Sequence, residues 1–412
     1  VRAGGSPGRD GIRGATFASK NLAEDSESER SSVQVPDPFM KKLMLDALLE
    51  IIERKLADGM KDLGGGGLSS ALSELGSKGG TGMEVELSKV ILREADMAAT
   101  EVMISESQER MMLVLSPRKI EEVFRILTKY GVPHSVIGEV KDHGMLRVKE
   151  NNRVVANLPL DLVVNPPLVS WPAKKPVYLT KRGMHLPASP KNLGKVLLKL
   201  LGSPGIASKR WVYEQYDHEV GVRTVTKPGR GDAAVMRLPN GNFLAIKADG
   251  NSKATYLDPY SGAAGTVSEA CRNVVAVGAE PMAMVDHLQV GDPADPGVFW
   301  TFSELIRGMA DYCKGTGLPV VGGKVSFYNE DQATKRAIKP SPVVLVVGLV
   351  EGMAQPIHPN FKRDGERIVL VGDTLRELGG SDYYEYIHEF TGGASPGVNP
   401  SRDRKLFKSI HR

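Results

Sequence analysis

An α+β chain of more than one domain is what this sequence predicts, and three observations carry the prediction. Helical and strand-like segments alternate from residue 37 to about 160, a stretch rich in Pro and Lys interrupts them over residues 164–208, and a second alternation follows. At 412 residues the chain is long enough for two or three hydrophobic cores.

After a glycine-rich opening, VRAGGSPGRDG, Asp37 and Pro38 mark a helix start, with Pro at the first helical position where its missing N–H costs nothing. Met40, Met44, Leu48 and Ile51 then recur at helical spacing within FMKKLMLDALLEIIERKL. KDLGGGGLSS leads into a helix, SSALSELGSK, and a strand-like MEVEL. ATEVMISESQERM reads as helix, MMLVL as strand, SPRKIEEVFRILTKYG as helix and HSVIGEV as strand. Beyond the interruption, AAVMRL and FLAIKA are expected to pair around the tight turn PNGN. YSGAAGTVSEACRNVVAVG reads as a long helix with small residues on one side. PMAMVDHLQVG, TFSELIRGMADYCKGTG, PVVGGKVSF and SPVVLVVGLV follow as strand, helix, strand and strand. A third segment, RIVLVGDTLRELGGSDYYEYIH, reads as strand, glycine-rich turn and helix, a weak echo of the chain's opening.

With 53 basic against 49 acidic residues, the small positive surplus forms no basic stripe, and nucleic acid is not the expected partner. No apolar run reaches the roughly 18 residues that cross a bilayer, so no membrane partner is expected. Cys271 and Cys313 have no CxxC context, which points away from zinc or a disulfide framework and fits a reducing cytoplasm. The chain starts at Val1 without an initiator methionine and is expected to begin inside a longer protein.

Several stretches carry residue types suited to chemistry. In KDLGGGGLSS the glycines make either a close-packed turn or a nest of backbone N–H groups at a helix N-terminus that binds an anion, with Asp62 facing a phosphate across a cation. ISESQERM places Glu106, Gln108 and Glu109 together, either on a solvated helix face or at a helix-to-strand edge that presents groups to a ligand. Lys247, Asp249 and Asn251 alternate along one strand end, Asp286 and Asp292 flank another, and Gly323, Lys324 and Ser326 lie in a third. Three strand ends offering acid, lysine and glycine favour a nucleotide site. No P-loop, nucleophile elbow or zinc-protease pattern occurs.

GRDGIRGATFAS, SVQVPDPFMKKL, KDLGGGGLSS, SESQERM, WVYEQYDHEVGVRTV, YLDPYSGAAGTVSEACRNVVAVGAEPMAMVDHLQVGDP and PVVGGKVSFYNE occur in order along nearly the whole chain. Together they closely resemble the PurL family, the synthetase subunits of phosphoribosylformylglycinamidine synthase. The resemblance implies an α+β fold of AIR synthetase-like (PurM-like) lobes. Residues 1–165 correspond to the C-terminal lobe of a first half, 166–204 to a linker, 205–352 to the N-terminal lobe of a second half and 353–412 to the truncated start of its C-terminal lobe. It also implies an ATP- and Mg2+-dependent ligase of purine biosynthesis that converts formylglycinamide ribonucleotide and ammonia to formylglycinamidine ribonucleotide, ADP and phosphate. A glutaminase subunit (PurQ) would supply the ammonia, with a small subunit (PurS) in the complex.

Position by position, the resemblance implies substrate contacts at Gln34, Glu106, Ser107, Gln108 and Ser326, ATP contacts at Asp286 and Gly323, and a metal ligand at Asp62. Lys324 stands where the family has a metal-binding Asn; an ammonium cannot ligate a metal, and a direct phosphate contact is the expected substitute. The family's catalytic histidine, in an ESHNH motif, belongs to a lobe outside these residues, and Asp249-Gly250-Asn251-Ser252-Lys253 at the pseudo-equivalent position contains no histidine. The chain alone is therefore expected to be inactive. The alternatives are a nucleotide-binding pseudoenzyme that scaffolds a glutaminase, or a kinase or synthetase resembling thiamine-monophosphate kinase or selenophosphate synthetase, against which the SESQER stretch argues.

Overall fold

The computed structural model describes residues 1–17, 31–180, 187–331, 333–334, 336–353 and 355–411. It divides into two compact units, Val1–Ser170 and Trp171–Arg412.

The first unit holds eight strands: β1 (Arg2–Gly4), β2 (Gly59–Asp62), β3 (Gly82–Glu86), β4 (Arg110–Val114), β5 (His134–Ser135), β6 (Gly138–Lys141), β7 (Met145–Glu150) and β8 (Arg153–Pro159). They form two four-stranded sheets, ordered β2-β4-β1-β5 and β6-β3-β7-β8. The helix Pro38–Glu53 begins as its sequence requires. Asp37 Oδ1 accepts a hydrogen bond from Met40 N at 2.9 Å, and Pro38 fills the first turn. Its apolar stripe buries Met44, Leu48 and Ile51, together with Ala47. That stripe and Val123, Ile126 and Leu127 of the helix Ile120–Lys129 pack on Ala3 and Leu113 of the first sheet. A second core joins Leu68, Ala71 and Leu72 of the helix Gly67–Gly79 to Met83, Val85, Met112, Leu146 and Val148.

The second unit holds β9 (Thr224–Thr226), β10 (Ala234–Arg237), β11 (Phe243–Gly250), β12 (Glu280–Gln289), β13 (Val320–Ser326), β14 (Glu330–Asp331), β15 (Arg336–Ala337) and β16 (Ser341–Val350). Six of them make one sheet, ordered β13-β12-β16-β11-β10-β9, in which only β12 and β13 run parallel. β10 and β11 pair across the PNGN turn, with Gly241 at φ +89° supplying the left-handed position. The helices Pro259–Ala276 and Pro296–Thr316 bury Val267, Val274, Leu305 and Tyr312 in the core with Val344 and Val346 of the sheet. Gly308 on the second helix permits close approach: a Cβ there would lie 2.2 Å from Tyr260 O of the first. The helix Pro400–His411 is fastened by Asp403 Oδ2, which accepts from Ser268 Oγ at 2.6 Å and Tyr312 OH at 2.8 Å.

The interruption at 164–208 carries a helix, Leu193–Leu201, as well as extended chain. One expected element fails. The strand expected in RIVLVG does not form: Ile368, Val369, Leu370 and Val371 are 82%, 74%, 80% and 54% exposed and pair with no strand among the described residues. β propensity expresses a fit to a half-buried pleated surface, and this run has no neighbouring ladder to join.

Candidate substrate and nucleotide sites

The helix read through ATEVMISESQERM stops at Ile104, and residues 105–109 form a loop before β4. The solvated-face reading of this stretch is thereby overturned, since Ser105, Glu106 and Ser107 are 0%, 3% and 3% exposed. Arg110 explains the turn. Its guanidinium, 3% exposed, donates from Nε to Ser107 O at 2.6 Å and from Nη2 to Ser105 O, fixing two carbonyls of the loop with one planar fork.

The Glu106 carboxylate sits among donors from three separate parts of the chain. Oε1 accepts from Gly66 N at 3.0 Å, and Oε2 from Gln34 Nε2 at 3.0 Å and Ala15 N at 3.0 Å. Gly66 N–H, expected to bind a ligand's anion, is thus committed to an anion of the chain itself. The glycine run is also a matter of approach. A Cβ on Gly67, whose φ is +56°, would lie 2.3 Å from Ser105 O.

Ser107 Oγ donates to Asp10 Oδ1 at 2.6 Å and accepts from Gly8 N at 3.1 Å. Burial would raise Asp10, but hydrogen bonds from Ser107, Val35 N and Arg93 hold it below its ordinary value. Gln108 is half-buried, its Nε2 3.4 Å from Glu106 O, and is the most accessible member of the triplet.

Asp62 ends β2, its side chain 65% exposed, with Oδ1 2.9 Å from Lys61 Nζ. The Lys61 hydrogen bond, opposed by partial burial, lowers its pKa. Oδ2 faces the glycine turn, 2.9 Å from where a Gly64 Cβ would stand. No three or more acidic, His or Cys side chains converge among the described residues. One ionised, accessible carboxylate fits Mg2+ that keeps most of its waters and takes further oxygens from a phosphate.

In the second unit, β12 and β13 run in parallel register with Asp286 beside Gly323, His287 beside Lys324 and Gln289 beside Ser326. A Cβ on Gly323 would lie 2.7 Å from Asp286 Oδ2, so the glycine leaves that carboxylate its space. Burial raises the Asp286 pKa, with His287 opposing. Lys324 is exposed on the sheet edge with no acidic partner among the described residues. Ser326 is 6% exposed, and its carbonyl accepts from Asn329 Nδ2 at 2.8 Å.

Other polar positions noted in the sequence have structural partners. Lys247 lies 3.8 Å from Asp249, which accepts from Asn273 Nδ2 at 3.1 Å. Asn251 caps the helix Ser252–Leu257 through Ala254 N at 2.9 Å, and Asp292 closes a turn through Ala294 N at 2.8 Å. Lys253 pairs with Asp382 and Glu385. Sequence reasoning passed over Asp10, Arg93 and Arg110. Asp10 lies in the quoted GRDG, but its partners Ser107 and Arg93 stand 97 and 83 positions away, beyond any local pattern. Arg110 lies in SESQERM and holds carbonyls three and five positions back, a contact that an arginine leading into a strand does not announce.

Residues 3–151 match the model of the AIR synthase related protein C-terminal domain, and residues 230–350 that of its N-terminal domain. The chain is 47% identical over 410 residues to the phosphoribosylformylglycinamidine synthase subunit PurL of Methanothermobacter marburgensis, covering 99% of this chain and 56% of that protein. It is 45% identical over 410 residues to that of Pyrococcus horikoshii, covering 99% of this chain and 57% of that protein. The chain thus spans a little over half the length of these relatives. Among solved structures, Thermotoga maritima PurL complexed with FGAR is similar at a TM-score of 0.70 and 36% identity, covering 85% of this chain and 54% of that one. The same enzyme complexed with ATP matches at 0.65 and 34% identity over 85% and 52% of the two chains, and its PurLQS assembly at 0.68 and 34% over 85% and 53%. No described helix is long and apolar enough to cross a membrane. From both domain models and from relatives of nearly half identity along its whole length, the chain belongs to the PurL family of AIR synthase-related proteins.

Proposed function

We propose that the chain forms part of an ATP-dependent ligase that converts formylglycinamide ribonucleotide and ammonia to formylglycinamidine ribonucleotide, with release of ADP and phosphate. The observation that carries this reading is the meeting of Gln34, the glycine turn and the SES loop at one buried carboxylate, Glu106, in a chain 36% identical to a PurL complexed with FGAR.

Transfer of the γ-phosphoryl group to the substrate's amide oxygen converts a poor leaving group into phosphate. The ammonia nitrogen then bonds to that carbon, the C–O bond breaks with its electrons passing to phosphate, and the nitrogen sheds a proton. Gln34, oriented by its Nε2 bond to Glu106, would offer Oε1 to a substrate N–H, and Gln108 and Ser107 would add contacts from the SES loop. Asp62 would hold Mg2+ at the glycine turn, where the ion supplies positive charge against a phosphate. Asp286 and Gly323 would take nucleotide at the β12–β13 edge, with Lys324 as a point charge for phosphate and Ser326 at the strand end. A glutaminase partner supplies ammonia, in keeping with the PurLQS assembly of the Thermotoga maritima relative.

Equilibrium dialysis tests the substrate site. Formylglycinamide ribonucleotide binds the chain, and Gln34→Ala weakens binding about 10-fold, the equivalent of one hydrogen bond. No turnover accompanies binding when ATP, Mg2+ and ammonia are added. Equal affinity of the two proteins, or amidine formed by the chain alone, would overturn the assignment.

A further inference from the structure

β1 places Arg2 beside Met112 of β4 on one side and Ser135 of β5 on the other, and Gly4 beside Arg110. Side chains alternate across a strand and direct partners share a face, so Arg2, Arg110 and Ser135 project from one face of this sheet. Ala3 projects from the other, into the core with helices Pro38–Glu53 and Ile120–Lys129.

Both guanidinium groups are interior, with Arg2 0% and Arg110 3% exposed. Each satisfies only part of its donor set. Arg2 Nη2 donates to Gly4 O at 2.9 Å, and Arg110 gives Nε and Nη2 to the SES loop. Arg2 Nε and Nη1, Arg110 Nη1 and Ser135 Oγ are buried with no partner among the described residues. Four unpaired groups on one sheet face, at least three of them obligate donors, are far from the usual state of a protein interior.

The charge of Arg2 is unanswered as well. Neither arginine forms an ion pair with a described residue, and while Asp10 and Glu106 favour the charged form of Arg110, Arg2 feels only burial and the like charge of Arg110. Burial pushes Arg2 down to about 9, with Arg110 adding to the effect, and Arg110 down to about 10. A water accepts hydrogen bonds but leaves the Arg2 charge uncompensated in a medium where an unpaired ion is costly. An anion does both.

We propose that this sheet face holds a small monovalent anion of the halide class, bound by Arg2 Nε and Nη1, Arg110 Nη1 and Ser135 Oγ. The site is independent of the ligase reading. Its place in the fold gives it a consequence, because the guanidinium that binds the anion with Nη1 fixes the SES loop with its other nitrogens.

Crystals of the 412-residue chain grown in acetate salts and soaked in sodium bromide test this by anomalous diffraction at the bromine edge. The expected result is a bromide in contact with Arg2 and Arg110, absent in Arg2→Met and weakened in Ser135→Ala. In solution, chloride raises the melting temperature saturably over gluconate at fixed ionic strength. The general salt series runs the other way, since excluded kosmotropic anions stabilise more. Should Arg2→Met fail to fold, the wild-type bromide peak and the Ser135→Ala comparison still decide. Ordered water alone at the site, a carboxylate of the chain filling it, or bromide confined to surface positions, an adventitious ion only, would each overturn the proposal.

Discussion

In residues 1–170 the candidate side chains are tied to one another by the fold: Gln34 and Gly66 meet at Glu106, Ser107 is bound to Asp10, and Arg110 holds the loop from beneath. In residues 171–412, Asp286, Gly323 and Lys324 lie along a sheet edge, and the Asp286 carboxylate accepts no hydrogen bond from a described residue. The first arrangement is completed by folding, and the second keeps polar groups that folding leaves without partners among the described residues. Substitutions in the first should therefore cost stability whatever they do to binding, and those in the second should cost binding without costing stability.

The largest effect expected is that of Glu106→Ala, which strands the Gly66 and Ala15 amides and the Gln34 side chain. Urea unfolding followed in the first unit should show a loss of roughly 3 kcal/mol, with Glu106→Gln losing about half as much. A loss under about 0.5 kcal/mol would erase the distinction between the units.

Asp62 sharpens the comparison from inside the first unit, being an exposed carboxylate among buried ones. In the full-length enzyme saturated with ammonia, Asp62→Asn should lower turnover about 10²-fold, or roughly 2.7 kcal/mol, with little change in melting. A steep fall in melting temperature would instead make KDLGGGGLSS a packing turn.

Asp286 should behave in the opposite sense to Glu106. Its folded pKa is raised by burial, so its contribution to stability is fully present below the ordinary Asp range and is lost as pH rises through the folded value. At neutral pH, Asp286→Asn should melt above wild type while binding ATP less tightly, and the two melting curves should converge in acid. A variant less stable than wild type at pH 7 would contradict this.

The smallest effect belongs to Lys324. If its ammonium meets a phosphate directly, Lys324→Asn should make ATP binding by the full-length enzyme a few-fold more dependent on Mg2+. Superimposable titrations of the two proteins would remove the contact.

What the sequence disclosed was what short range decides. Asp37-Pro38 starts a helix and PNGN turns a hairpin because the deciding contacts lie within a few residues. The SES loop was read as helix because its deciding contacts are remote. Ser107 meets Gly8 across 99 positions, and Glu106 meets Ala15 across 91. RIVLVG failed for the same reason in reverse, its β-branched composition having no partner strand among the described residues. At the sites, Gln34 and Glu106, which the family resemblance implied as substrate contacts, are joined by a hydrogen bond that no local pattern announces, and Arg2 and Arg110 carry no sequence signal of burial, since arginine is almost never fully buried.

The open flank of β13 has a colloidal consequence. It ends its sheet with Val320, Val321 and Val325 at 50%, 67% and 36% exposure, beside a row of backbone groups that no further strand among the described residues takes up. Such flanks template the pairing of one chain with another unless a charge interrupts them. Lys324 is the one charged residue in VVGGKVS. It is the charge that such an edge requires against self-association, and replacing it should carry a solubility cost separate from any change in nucleotide binding.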